Sequence, residues 1–248
     1  MSIPKECLNA IIISVLLLSS CPIKQPLLPG YGSLAETGLG TIYQEDFRNG
    51  LVGWAITYHK GKPTLIEASE KGLHLKDATN LGHFHVILGA PYPHKGQNFT
   101  ASCEFKFNVI DLNLTFAIGI LVGVKNMGRC VLVVELGNDG HLAVWAIDLG
   151  IRTIKLTSSK GLAYVKNNRW YKLVVRVEVA KDVLIINAFL YDLLCGNQII
   201  DLLDFSVRDY EPVAGVSVKS GTYQEGDYYV TNFTVIYKGK PNLPYILV

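Results

Sequence analysis

Two carboxylates separated by one residue on a strand share a face, and across a sugar bond they can act as nucleophile and general acid. The chain has one Glu-x-Asp, Glu225-Gly226-Asp227, and the position where a third acid would extend the row holds Tyr229 or Val230. The half-pattern therefore reads as a turn. Glu104 and Asp111 lie seven residues apart, so on one regular strand they face opposite ways, and Glu135 and Asp139 are split by a turn. Acids converging from separate strands, such as Glu104, Glu135 and Asp139, leave hydrolysis as an alternative. With no local acid pair, the chain reads more as a binder than as an enzyme.

Other side chains suit binding. His83 and His85 flank Phe84 and would share a strand face, with His94 a short loop away. They could hold a metal or touch a sugar, or they could simply line a wet face, since no carboxylate stands beside them at ligand spacing. Sugar recognition on a sheet uses aromatic faces that stack on pyranose rings, with polar groups at the rim. Trp145, within Leu142 to Ile147, and Tyr58 with His59 are the candidates, Trp145 being readable first as core or surface packing.

These residues must be positioned by strands. From Thr41 onward, short runs of Val, Ile, Phe, Tyr and Thr alternate with Gly, Asn, Asp and Lys turns, an all-β rhythm. In Trp170 to Ala180, Tyr171, Leu173, Val175, Val177 and Val179 point one way while Lys172, Arg176 and Glu178 point the other, so one face is core and one wet. Lys181-Asp182 turns that strand into Val183 to Tyr191. Gly137-Asn138-Asp139-Gly140 makes a hairpin of Glu135 to Asp148. Phe99 to Ile110 and Leu114 to Val124 are expected to pair, the second as a strand buried on both faces. The economical arrangement is all-β, a two-sheet antiparallel β-sandwich around one core.

Of 248 residues, 49% are hydrophobic and 18% charged, with 23 glycines, enough apolar material for a substantial core. Twenty-three basic and 21 acidic residues give a net charge of +2 that reads as scattered, without the basic stripe that a nucleic acid needs. At the N-terminus Lys5 precedes an apolar run from Leu8 to Leu18, then Ser19, Ser20 and Cys21. That is the layout of a signal peptide, too short to span a bilayer, with Pro22, Pro26 and Pro29 beyond it. Leu18-Ser19-Ser20-Cys21 resembles the lipobox of bacterial and archaeal lipoproteins, which implies acylation of Cys21 and a membrane anchor; an ordinary signal peptide is the alternative. The chain divides into leader 1–21, linker 22–40, sandwich 41–238 and tail 239–248. Within the mature part Cys103, Cys130 and Cys195 are an odd set, so at most one bridge joins them. Three sequons begin at Asn98, Asn113 and Asn232, two of them inside expected strands.

Four segments carry a wider resemblance. Glu45-Asp46-Phe47-Arg48-Asn49-Gly50-Leu51-Val52-Gly53-Trp54, Gly72-Leu73-His74-Leu75, Asn168 to Leu173 and Gly226 to Val235 are similar, in order, to segments of the concanavalin A-like jelly rolls, which include laminin G-like domains. The resemblance implies that the first and last strands lie side by side, Ile42 to Phe47 along Tyr229 to Tyr237, and that Trp54 and Trp170 are core. Calcium is common among such domains; here Asp46 and Asp227 are the donors it suggests. Glycoside hydrolases of the fold use Glu-x-Asp-x-Glu, which this chain lacks. The reading is an extracytoplasmic carbohydrate- or ligand-binding module, recognising a cell-surface glycoconjugate, with a structural or adhesive envelope protein, or a hydrolase of the same fold, as alternatives.

Overall fold

The computed structural model describes residues 33–37, 40–59, 61–77, 84–90, 97–149 and 152–237. Sixteen strands and no helix occur among them. In chain order the strands are β1 (Ser33–Thr37), β2 (Gly40–Glu45), β3 (Ala55–Tyr58), β4 (Leu65–Ser69), β5 (Gly72–Asp77) and β6 (Phe84–Gly89). The long ones follow: β7 (Phe99–Val109), β8 (Phe116–Lys125), β9 (Cys130–Gly137), β10 (Leu142–Asp148) and β11 (Arg152–Ser158). The last five are β12 (Tyr171–Ala180), β13 (Val183–Asp192), β14 (Asn197–Arg208), β15 (Glu211–Ser220) and β16 (Gly226–Tyr237).

One sheet of nine strands runs β1-β2-β16-β7-β12-β13-β14, with β5 and then β4 continuing from β16; a sheet of seven runs β11-β10-β9-β8-β15-β6-β3. All pairings are antiparallel, and β2 lies along β16 with Thr41 opposite Tyr237 and Glu45 opposite Phe233, as the resemblance implies. Strand β16 is long enough to take β2 beside one half and β5 beside the other. The inward faces of the two sheets bury Tyr43, Phe105, Phe107, Phe116, Tyr171 and Phe233 in one core. Each such side chain, withdrawn from water, contributes about 2 kcal/mol.

The segment from Glu45 to Trp54 is held by one buried carboxylate. Glu45 accepts hydrogen bonds from the Tyr43 hydroxyl at 3.0 Å, the Phe47 amide at 2.8 Å and the Trp54 indole at 3.4 Å. Burial is tolerated because three donors satisfy the charge.

Strands β7 and β8 do not pair, contrary to the expectation from sequence. Strand β7 sits between β16 and β12, and β8 between β15 and β9 in the facing sheet, so the loop 110–115 crosses the sandwich. Six residues reach across the roughly 10 Å between sheets, which an adjacent hairpin does not require. The double burial expected of β8 is present, because its second side faces a furrow described below.

Candidate functional site

Seven strands spaced about 4.8 Å apart put the edges of a flat sheet about 29 Å from one another. Yet His59, directly after β3 at one edge, lies 3.3 Å from the Thr153 hydroxyl of β11 at the other. The sheet is therefore rolled, and its outer face is a furrow. Ile87, Leu121, Val131, Val133 and Ile147 fill one end as a second apolar cluster, with Trp145 packed on it.

The other end is polar. Ser217, Gly119 and Glu135 stand in register on β15, β8 and β9, and with no side chain at Gly119 the outer two meet. The Ser217 hydroxyl donates to Glu135 Oε1, and His85 Nε2 lies 2.9 Å from both that oxygen and Ser217 Oγ. Burial alone would push the Glu135 carboxyl up, but the His85 ring, the Ser217 hydroxyl and the Lys219 ammonium together hold it below its ordinary value. Because Ser217 is fully buried and its proton points to Glu135, the trio clamps β6, β15 and β9 and does not form an activated nucleophile. Above this floor the Trp145 ring has Lys155 Nζ at 5.0 Å and Lys219 Nζ at 5.9 Å from its centroid. Lys155 also pairs with Asp139 at 3.2 Å, which ties the furrow mouth to the end of the sandwich.

At that end four loops are joined in a row. The Gly221 amide donates to Thr115 O at 2.8 Å, and the buried Gln224 side chain donates to Asp111 O at 2.7 Å, locking loop 221–225 to loop 110–115. Asn138 Nδ2 donates to Asn113 O at 3.2 Å, and the Ala163 amide donates to Gly140 O at 2.8 Å, adding turn 138–141 and loop 159–170. Gly140 has φ +74°, and a Cβ there would stand 2.6 Å from Ala163 O, so only glycine permits the last approach. The resulting rim presents Tyr223, 63% exposed, and Tyr164, 88% exposed, with exposed Asn113 and Asp139 between them.

Of the residues singled out from sequence, Trp145 and His85 meet in this furrow. Tyr58 turns to the core side, half-buried, with Lys62 Nζ 5.0 Å above its ring. His83, His94 and Cys21 lie outside the described residues. Asp46 and Asp227 are not brought together: Asp46 pairs with Arg48 at 2.7 Å, whereas Asp227 accepts from His74 at 2.7 Å, and with Asp227 opposite Lys76 but Glu45 opposite Phe233 the two acids are on the order of 15–20 Å apart. Trp170 is not core. It stands half-buried on the outer face of the nine-stranded sheet, where Lys106 Nζ is 5.2 Å from its ring and 4.8 Å from that of Tyr229, which stacks on His74. A separate groove of about 720 Å³, between Arg48-Asn49 and Ala68 to Lys71, is open and has no aromatic ring among its lining residues. The rim and furrow mouth hold the convergent polar and aromatic groups that a binding site uses. Tyr164 and Tyr223 were missed in sequence although each follows a turn signal, Ser159-Lys160-Gly161 and Gly221-Thr222.

Solved lectin structures superpose on most of the chain. Lectin I from Ulex europaeus, in complex with the methyl glycoside of α-L-fucose, has a TM-score of 0.51 and 12% identity over 79% of this chain and 98% of its own. The fold is the lectin-type, concanavalin A-like jelly roll. A lectin from Bauhinia forficata in complex with GalNAc has the same TM-score and 10% identity, over 80% of this chain and 100% of its own. At these identities the likeness is one of fold. No protein-family model matches the sequence, and no curated protein matches it.

Proposed function

We propose that this jelly roll is a carbohydrate-binding module whose site is the loop rim together with the adjoining furrow mouth. The observation that carries the reading is the hydrogen-bonded row of four loops, which fixes Tyr223 and Tyr164 on either side of Asn113 and Asp139. Exposed tyrosine faces stack on pyranose rings, and carboxamide and carboxylate groups satisfy the hydroxyls around them. That both lectins of the same fold hold a saccharide supports it.

The role we assign is binding without hydrolysis. Glu104 lies on the outer side of the nine-stranded sheet, opposite Lys172 and Thr231, and Glu135 lies in the furrow of the other sheet, so the whole sandwich separates them. Glu135 is also sealed by His85 and Ser217, and Asp139 is paired with Lys155. A hydrolase needs two carboxyl groups within roughly 10 Å across an open groove.

A glycan and polysaccharide array probed with the full chain, with released reducing sugar followed in parallel, tests the reading. Retention should weaken about tenfold in Tyr164→Ala and in Tyr223→Ala, with sugar release at background. Retention indifferent to both substitutions, or none by the unaltered chain, overturns it.

A further inference from the structure

We propose that the saccharide taken at this site is anionic, carrying carboxylate or sulfate groups that the lysines beside Trp145 bind; this rests on the carbohydrate reading above. Two ammonium groups, those of Lys155 and Lys219, lie within 6 Å of the centroid of one indole ring. A neutral sugar stacking on Trp145 would compete with these ammonium groups for the ring. An anionic one places its own charge beside them and keeps them.

The local charge balance favours an incoming anion. Lys219 is half-buried and makes no ion pair among the described residues. Glu135, which feels its charge, already receives the Ser217 hydroxyl and faces the His85 ring. Lys155 has Asp139, but that pair is 38% and 45% exposed, and a water-facing pair of this kind holds its partners weakly enough for a ligand carboxylate to replace one of them.

A wider field adds to this. Lys155 sits on β11, and Lys160 and Lys166, both exposed, sit in the loop that carries Tyr164. Asp111 and Glu225 stand at the other end of the rim, beside Tyr223. The site is thus polarised, with its positive end at Trp145 and Tyr164, and a charged chain laid along it has one favourable direction.

The test uses the full chain and three kinds of immobilised probe: polygalacturonate and a sulfated galactan as anionic saccharides, dextran as a neutral one, and double-stranded DNA with phosphatidylserine vesicles as anions without sugar recognition. The anionic saccharides should be retained in preference to the rest. Lys155→Gln and Lys219→Gln should each weaken retention about tenfold and flatten its dependence on salt. Lys155→Arg and Lys219→Arg should hold it within about twofold, and Lys106→Gln, on the opposite sheet, should leave it unchanged. A cooperative thermal transition in each would show that the variants fold. Retention of dextran alone, or indifference to both Gln variants, overturns the anionic assignment while leaving a sugar-binding rim. DNA or vesicles held as well as the saccharides, with the same lysine sensitivity, overturns the saccharide specificity. Silence toward every saccharide overturns this inference and the function proposed above.

Discussion

Glu135 stays ionised in a dry furrow because its neighbours supply what water would. The His85 ring, the Ser217 hydroxyl and the Lys219 ammonium offset the penalty of burial, so its folded-state value lies below the 4.5 of an unhindered glutamate. A carboxyl group depressed on folding adds stability that is fully present above its unfolded value and is lost as the pH falls through the folded one. The protein should therefore lose stability on acidification from that value downward, and Glu135→Gln should shrink this loss while lowering stability near neutrality. Urea midpoints measured against pH check this, and parallel curves for the two proteins would contradict it. In the sequence His85 stands out by its spacing from His83, and Glu135 as one of three acids that could converge from separate strands. Their meeting depends on the register of β6, β15, β8 and β9, which joins residues up to 132 positions apart and leaves no local pattern.

At the scale of elements, the clamp requires a bare position on β8. A Cβ on Gly119 would lie 1.9 Å from the Val134 carbonyl oxygen and 2.7 Å from the Glu135 Cα, so any side chain forces β8 and β9 apart. Gly119→Ala should cost about 3 kcal/mol of stability, visible as a lower urea midpoint with an unchanged slope. A loss below about 1 kcal/mol would mean that the two strands have more room than their spacing indicates. The strands themselves were legible. The alternation in β12, the Lys181-Asp182 turn and the hairpin joining β9 to β10 are where residue patterns put them. Strand partners were legible across tight turns and, through the family resemblance, for β2 along β16; the sequence from β7 to β8 has the same look whether the loop reverses within a sheet or crosses to the other. The site loops were the least legible, because Gln224, Asn138 and Ala163 become site builders through one or two long-range hydrogen bonds each.

At the scale of the molecule, the two-sheet sandwich could be read from alternation and from the motifs between Glu45 and Val235, because packing dictates both. The rolling of the seven-stranded sheet could not. It is known from His59 meeting Thr153, and it is what makes an outer face into a furrow with Trp145 at its mouth. The outer face of the nine-stranded sheet, with its stacked His74, Tyr229 and Trp170, is the natural competitor as a binding surface. Amide hydrogen exchange, with and without the saccharide that the array retains, decides between them. Saccharide bound at the rim should slow exchange in 110–115, 137–141, 159–165 and 221–225, and leave 72–77 and 226–230 unchanged. Protection confined to those last two segments, or none at the rim under saturating saccharide, would contradict it.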